Sequence, residues 1–267
     1  MTTRLAGQIA IVTGASSGNG RAIALSLAAE GATVVCSDVR ETALEAGYEK
    51  DIKIPTHELI KKNDGRAIYK HADAAKASDV AALVGAAVSQ FGRLDVMVNN
   101  AGVFTQLHTI LDETEEQYDL TMNVNAKGVW LGTKYAIKQM MEQAPRANGT
   151  RGRIVNIASI GGLVGLAQEP AYCASKGAVV NLTRQTALDF APHKININAV
   201  CPGFLATAMV RPFLDDPESK AGLEALTPWP RVGTAEDVAK CVVFLSSDDA
   251  DWMTGSLLTV DGAFTAR

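Results

Sequence analysis

The sequence contains few of the residues that build metal centres or disulfide frameworks. It has four cysteines and four histidines among 267 residues, and they are scattered without a Cys-x-x-Cys pair. Zinc sites need closely spaced cysteine and histidine ligands, so we expect no metal site and no histidine-based catalytic triad. Isolated cysteines are typical of small buried hydrophobic residues in a reducing compartment, which predicts a cytoplasmic protein.

Long apolar runs and an excess of positive charge are also missing. No apolar run reaches the ~18–20 residues of a membrane-spanning helix, so we expect no membrane partner. The 25 basic residues are outnumbered by 29 acidic ones, and the net charge of −4 argues against a nucleic-acid partner. The first segment, Met1–Gly7, has no apolar stretch, and we therefore expect no signal peptide.

The sequence is instead a regular alternation of short apolar runs and longer helical patterns. Runs that are apolar throughout suit a sheet covered on both faces, and strand–helix alternation predicts a parallel sheet with right-handed crossovers. We predict one doubly wound α/β domain over residues 1–267, with excursions at 41–65 and at about 203–232, the second acting as a substrate lid. The predicted strands are Gln8–Thr13, Thr33–Asp38, Leu94–Asn99, Arg153–Ala158, Lys194–Val200 and Ser256–Val260, and the clearest helices are Arg21–Glu30, Ser78–Phe91 and Ala235–Ser246.

A glycine-rich loop joins the first predicted strand to the first helix. It runs from Thr13 to Gly20 with the spacing G-x-x-x-G-x-G. Glycines allow a tight turn and a close backbone approach, and a helix N-terminus offers unpaired N–H groups to a pyrophosphate. The loop alone could also be an ordinary strand–helix turn. Its candidate cofactor-binding residues are Gly14, Ser16, Ser17, Gly18, Asn19 and Gly20.

A carboxylate at the end of the second strand narrows the choice of cofactor. Asp38 lies 18 residues after Gly20, where it can accept hydrogen bonds from the adenosine ribose hydroxyls. A 2′-phosphate at that place would be repelled by the like charge, so Asp38 favours NAD over NADP. Arg40 is close enough to soften this preference, and a merely solvated carboxylate is the alternative interpretation of Asp38.

Three residues in the middle of the chain form a candidate catalytic set. Tyr172 and Lys176 are four residues apart on a predicted helix, so their side chains can lie together. A neighbouring cation favours the phenolate, and a phenol with a lowered pKa can exchange a proton with a carbonyl or alcohol oxygen. Ser159 follows the strand Arg153–Ala158 and can hydrogen-bond the same oxygen. A tyrosine and a lysine at this spacing can also be no more than a helix surface.

Taken together, these motifs resemble the short-chain dehydrogenase/reductase family over essentially the whole chain. The matching segments are Thr13–Gly20, Asn99-Asn100-Ala101-Gly102, Asn125, Ser159, Tyr172 with Lys176, and Pro202-Gly203. The resemblance implies a seven-stranded Rossmann-like sheet flanked by helices and hydride transfer between a nicotinamide cofactor and a carbonyl or alcohol. It also implies a homotetramer.

The resemblance further implies a role for each matching residue. Tyr172 would be the general acid/base, Lys176 would bind the nicotinamide ribose and lower the pKa of the phenol, and Ser159 would position the substrate oxygen. Asn125 would hold a proton-relay water near the lysine. Asp73 and Ala74 would contact the adenine, Asn100 would lie beside the adenine-side ribose, and Thr207 would contact the carboxamide.

The expected substrate follows from the residues that could wall the pocket. The segments Ile160–Glu169 and Phe204–Trp229 are mostly apolar, with Gln168 and Glu169 as polar exceptions. We expect a hydrophobic secondary alcohol or ketone and NAD as the cofactor. The alternatives are an NADP-linked biosynthetic ketoreductase, a family member that dehydrates or epimerises its substrate, and a non-catalytic module that senses NAD.

Overall fold

All the strands of the computed structural model lie in one parallel sheet. The model describes residues 3–49 and 51–266, so Met1, in the segment expected not to be a signal peptide, lies outside the described residues. The sheet has seven strands in the order β3-β2-β1-β4-β5-β6-β7, and every pair is parallel. The predicted doubly wound α/β fold is confirmed. The strands are β1 Ile9–Thr13, β2 Thr33–Asp38, β3 Arg66–His71, β4 Val96–Asn99, β5 Gly152–Ile157, β6 Ile195–Pro202 and β7 Leu257–Val260.

Helices connect the strands and cover both faces of the sheet. The first helix begins at Gly18, three residues before the predicted start at Arg21, because the last residues of the glycine loop are already helical. The last long helix has the predicted bounds, and the Asp237 carboxylate accepts the Thr234 N–H at 2.9 Å, closing its first turn. The helices are α1 Gly18–Ala29, α2 Thr56–Lys62, α3 Ala77–Phe91, α4 Glu115–Met122, α5 Gly128–Glu142, α6 Pro170–Phe190, α7 Arg211–Leu214, α8 Pro217–Leu226 and α9 Ala235–Ser246.

The central strands are buried on both faces, as their continuous apolar sequences require. Every residue of β1 and of β5 is buried. On one face α1 and α9 pack against the sheet through a cluster that includes Ile23 and Val242, both fully buried. On the other face α3 and α5 pack through a second cluster that includes Leu83 and Met140. The two layers hold the carboxyl ends of the strands at one edge.

The order of the strands reverses between β1 and β4. From β1 the chain builds outward through β2 to β3, and it then returns to add β4 on the other side of β1. At such a switch point the connections after the two strands leave in opposite directions and open a crevice. The loop after β1 and the segment after β4 therefore border a cleft at the carboxyl edge.

The excursion at 41–65 is not the simple surface insertion that its charge and its proline suggest. It includes α2, in which Thr56, His57 and Ile60 are buried. The buried guanidinium of Arg21 donates to the carbonyl oxygens of Ile54 at 2.9 Å and of Asp51 at 2.8 Å. A buried cation needs such acceptors, so Arg21 ties the excursion to α1.

The predicted lid begins where β6 ends. It contains α7 and α8, and a single parallel bridge between Leu205 and Gly233 closes its base. A lid function for this segment stays a prediction. Among residues 3–49 and 51–266, no helix is long and apolar enough to cross a membrane, and no group of three acidic, cysteine or histidine side chains is placed to hold a metal ion. The four cysteines are free thiols.

Candidate active site

The cleft at the carboxyl edge collects most of the residues that the sequence singles out. It has a volume of about 390 Å³, within the range of small-molecule sites. Ser16, Gly20 and Asn125 do not line it. The predicted residues that line the cleft are Gly14, Ser17, Gly18, Asn19, Asp38, Asp73, Ala74, Asn100, Ser159, Tyr172, Lys176 and Thr207.

The glycine loop is pressed against the end of β4, which explains two of its glycines. Gly14 has φ 66°, and a Cβ there would lie 2.9 Å from the Ala101 Cα and the Asn100 Nδ2. A Cβ at Gly20 would lie 2.0 Å from the carbonyl oxygen of Gly14. The Asn100 amide donates to the carbonyl oxygen of Thr13 at 2.9 Å and holds the two strand ends together. Neither glycine position accepts a larger side chain without movement of the backbone.

An anion already occupies the N-terminus of α1. The Gly18 N–H donates to the Oε1 atom of Glu49, while the Oε2 atom is buried without a hydrogen-bond partner. The Leu44 N–H donates to the Ser17 hydroxyl at 2.8 Å and brings the segment across the loop. A helix N-terminus that accepts a carboxylate also fits a pyrophosphate, because both are anions that need N–H donors. The glycine loop therefore fits the diphosphate of a dinucleotide.

Asp38 lines the cleft where the sequence predicts the adenosine ribose. One carboxylate oxygen accepts the Ser16 N–H at 3.1 Å, and the other accepts the Arg40 N–H at 3.3 Å. The Ser16 hydroxyl donates to the carbonyl oxygen of Arg40 at 2.6 Å. The Ser16 N–H thus helps to fix the position of the carboxylate, and binding of the cofactor by Ser16 stays a prediction.

The remaining cofactor-binding candidates are spread along the same cleft. Asp73 and Ala74 follow β3, and the Asp73 carboxylate accepts the Ala75 N–H at 3.0 Å. Thr207, after β6, faces the glycine loop from across the cleft, 3.6 Å from the position of a Cβ on Gly18. All three residues line the same cleft as Asp38 and the catalytic set, and their contacts with a dinucleotide stay predictions.

The catalytic candidates meet at the other end of the cleft. Tyr172 and Lys176 lie on the first turns of α6, and the Lys176 ammonium is 5.7 Å from the centre of the Tyr172 ring. The ammonium donates to the carbonyl oxygen of Ile157 at 2.9 Å, at the end of β5. Ser159 follows β5, and its hydroxyl oxygen accepts the Gly161 N–H at 3.1 Å and hydrogen-bonds the Tyr172 side chain. The end of β5 and the start of α6 therefore bring the Ser159 hydroxyl, the Tyr172 phenol and the Lys176 ammonium together.

Burial sets the protonation states of Tyr172 and Lys176. It raises the pKa of Tyr172 to about 12, although the hydrogen bond with Ser159 acts in the opposite direction. It also lowers the pKa of Lys176 to about 8. The ammonium is directed to a backbone carbonyl oxygen, and the expectation that Lys176 lowers the pKa of the phenol stays a prediction. At neutral pH Tyr172 is a neutral proton donor.

Asn125 lies behind the catalytic set, in the irregular turn between α4 and α5. Residues Asn123–Lys127 form a π-helical turn between α4 and α5, a feature often found at functional sites. The fully buried Asn125 amide exchanges two hydrogen bonds with the backbone of Val103, at 2.8 and 2.9 Å, and donates to the Ser175 hydroxyl at 3.3 Å. Its observed contacts hold the segment after β4 against α6.

Comparison with known proteins agrees with this geometry. A family model of short-chain alcohol dehydrogenases, described as Enoyl-(Acyl carrier protein) reductase, matches residues 14–265. The chain is a short-chain dehydrogenase/reductase. It is 40% identical to 2-(R)-hydroxypropyl-CoM dehydrogenase of Xanthobacter autotrophicus, over 97% of this chain and 99% of that protein. It is 37% identical to the cyclopentanol dehydrogenase of a Comamonas species, over 99% of both chains.

A solved structure gives the same fold. The crystal structure of a candidate 2-deoxy-d-gluconate 3-dehydrogenase from Agrobacterium tumefaciens, with bound NADP, superposes with a TM-score of 0.85. The two chains are 33% identical, and the match covers 100% of this chain and 99% of that one. This short-chain dehydrogenase/reductase is therefore an oxidoreductase of the secondary-alcohol type.

The structure adds site residues that the motifs of the family do not indicate. Glu49 lies in the charged excursion, where no periodic pattern shows that it reaches Gly18. Phe104, in the segment after β4, packs its ring edge-on to that of Tyr172, with the ring centres 5.6 Å apart. Phe213, on α7, packs on Phe104 at 6.3 Å. Of these, only Phe213 had a sequence signal, because it belongs to the apolar lid.

Proposed function

We propose that this enzyme oxidises neutral, largely apolar secondary alcohols to ketones, and reduces the ketones, with NAD(H). The single observation that carries the proposal is the shared cleft, with an anion-accepting glycine loop at one end and Ser159, Tyr172 and Lys176 at the other. The relative that is named a cyclopentanol dehydrogenase supports a neutral cyclic alcohol as a substrate.

The chain's own groups supply the proton chemistry. In the reductive direction the neutral phenol of Tyr172 donates its proton to the carbonyl oxygen, and the Ser159 hydroxyl hydrogen-bonds the same oxygen. Lys176 is held at the end of β5, where its ammonium can bind the ribose hydroxyls beside the nicotinamide. When bound, the nicotinamide cofactor supplies or accepts the hydride. Asn125 keeps the wall of the site in place.

The preference for NAD rests on Asp38. Its carboxylate is fixed by two backbone N–H groups at the end of β2, where a 2′-phosphate would meet a like charge. The NADP in a structural neighbour makes an NADP-linked ketoreductase the second candidate. The two are separated by kcat/KM for NADH and NADPH with one ketone.

We expect NADH to be preferred, and we expect Asp38→Ala to lower the ratio of NADH to NADPH efficiency by about tenfold or more, since tenfold corresponds to only about 1.4 kcal/mol. Asp73→Ala, which removes another carboxylate lining the cleft, is the matched control and should leave the ratio near that of the unsubstituted enzyme. A preference for NADPH in the unsubstituted enzyme would overturn the assignment of NAD and favour the second candidate.

A homotetramer and a cytoplasmic location complete the proposal. Large apolar side chains are exposed on neighbouring helices, among them Tyr118 and Leu120 on α4, Trp130 on α5 and Leu188 on α6. Apolar area of this kind marks a surface that another subunit can cover. Light scattering of the purified enzyme tests the tetramer, and a monomer at micromolar concentration would refute it. Free thiols support a reducing compartment.

A further inference from the structure

Phe104 packs on the ring of Tyr172, the residue that we propose as the proton donor. The two ring centres are 5.6 Å apart, and the ring planes meet at 86°. Aromatic rings favour such edge-to-face contacts, which set the angle of one ring relative to the other. Tyr172 lines the cleft and Phe104 does not. Phe104 therefore contacts the phenol ring without being part of the wall that a substrate touches.

The backbone on both sides of Phe104 is held by hydrogen bonds. Val103, the residue before it, exchanges two hydrogen bonds with the amide of Asn125, at 2.8 and 2.9 Å. His108, a few residues further on, donates its N–H to the carbonyl oxygen of Gln168 at 2.8 Å. Because the segment is attached at both of these places, the ring of Phe104 has a defined position.

A second ring supports Phe104 from the predicted lid. Phe213, on α7, has its ring centre 6.3 Å from that of Phe104, and the ring planes meet at 63°. The three rings thus come from three parts of the chain, which are the segment after β4, α6 and α7. Since Phe104 contacts both of the other rings, it connects the phenol of Tyr172 to the lid.

The angle of the Tyr172 ring matters because the hydroxyl group lies at the far end of the ring. A rotation about the bonds of the side chain moves the phenol oxygen further than it moves the ring atoms. This oxygen must stay within hydrogen-bond reach of the oxygen that it protonates, while it also hydrogen-bonds the Ser159 side chain. Misplacement of a reacting group by about 1 Å can lower a rate roughly 100-fold.

We infer that Phe104 is a positioning residue, which holds the Tyr172 ring at the angle from which the phenol reaches the reacting oxygen, and that Phe213 supports it from the lid. The inference rests on the proposed role of Tyr172 as proton donor. Since Phe104 does not line the cleft, its loss should slow the chemical step and leave the binding of substrate and cofactor unchanged.

The test measures single turnovers of bound NADH with a cyclic ketone, so that slow release of the product does not hide the chemical step. Phe104→Leu keeps an apolar side chain without a ring, and it should lower the saturating rate by about tenfold, as the loss of a strong edge-to-face pair predicts. The ketone concentration at half saturation and the Kd for NAD should stay within about threefold. Phe104→Tyr keeps the ring and should retain about half of the rate or more.

The control removes another ring contact of the same helix. Phe190 lies at the end of α6, and its ring centre is 6.0 Å from that of His193. Phe190→Leu should leave the single-turnover rate unchanged, even if it lowers the melting temperature. Thermal melting verifies that each variant is folded, and Phe104→Met replaces Phe104→Leu if the latter does not fold.

Double variants test whether Phe104 acts through the phenol. Tyr172→Phe keeps the ring and removes the proton, so adding Phe104→Leu to it should cause no further loss of rate, because residues that act as a unit are not additive. Phe213→Leu alone should lower the rate by about threefold, since it contacts Phe104 through a longer and less perpendicular ring pair. It should have no further effect when Phe104→Leu is already present.

The outcomes separate the inference from the function on which it rests. An unchanged rate in Phe104→Leu, an equal loss in Phe104→Tyr or Phe190→Leu, or a full further loss in the Tyr172→Phe enzyme would overturn the role of Phe104 and leave the proposed function standing. A Tyr172→Phe enzyme as active as the unsubstituted one would overturn the proposed proton chemistry, and the inference with it.

Discussion

Removal of the Glu49 carboxylate is expected to tighten the binding of the dinucleotide. Glu49 accepts the Gly18 N–H at the N-terminus of α1, the place where the glycine loop fits a pyrophosphate. A dinucleotide must displace this carboxylate before its own oxygens reach the N–H group. A hydrogen bond to a charged group is worth about 1.5–3 kcal/mol. We take the lower end, because the other carboxylate oxygen is buried without a partner and already offsets part of that gain.

About 1.5 kcal/mol corresponds to roughly a tenfold lower Kd for NAD in Glu49→Ala. Isothermal titration calorimetry on both proteins measures this change directly. Glu45→Ala removes an exposed carboxylate from the same excursion and is the matched control, for which we expect an unchanged Kd. A Kd for Glu49→Ala that equals or exceeds that of the unsubstituted enzyme would show that the contact does not compete with the cofactor.

Two further substitutions test the site and the fold. Tyr172→Phe removes the proton donor and should lower kcat by roughly 100-fold or more, with the Kd for NAD unchanged within threefold. Steady-state kinetics and calorimetry check this, and more than a tenth of the activity remaining would contradict the assignment. The hydrogen bond from Arg231 lowers the pKa of Asp237 to about 2, against about 3.9 in an unfolded chain. The ionised Asp237 carboxylate therefore stabilises the folded protein above about pH 4, and this stabilisation is lost as the pH falls to 2. Asp237→Asn should therefore lower the melting temperature at pH 7 and not at pH 2, whereas a lowering as large in Glu236→Gln would contradict this origin.

The fold could be predicted because each central strand has a clear signal in its own short stretch of sequence. Each central strand is a short apolar run, as in β2 and β5, and the helices between them have a periodic face or a capping signal such as Thr234 with Asp237. Physical constraints on parallel sheets then leave few topologies. The position of Tyr172 beside Lys176 follows in the same way from helical spacing. These features depend on residues close in sequence.

The features that escaped prediction depend on residues far apart. The contact of Glu49 with Gly18 joins positions 31 residues apart, and that of Arg21 with Ile54 joins positions 33 apart. No pattern within the charged excursion encodes either partner. The burial that raises the pKa of Tyr172 likewise comes from the surrounding segments and is not encoded in its spacing from Lys176. The hydrogen bond from the Ser16 hydroxyl to the backbone of Arg40 joins positions 24 residues apart in the same way.

One arginine of the predicted lid connects the two halves of the cleft. The Arg211 guanidinium donates to the carbonyl oxygens of Ala46 at 2.8 Å and Gly47 at 3.1 Å, and it lies 4.5 Å from the centre of the Tyr48 ring. These three residues directly precede Glu49, so the contacts of Arg211 connect α7 to the segment that reaches the glycine loop. If a nucleotide that displaces Glu49 also shifts this segment, the nucleotide and the substrate change each other's affinity by the same factor. We then expect the Michaelis constant for an alcohol to depend on the nucleotide that is bound.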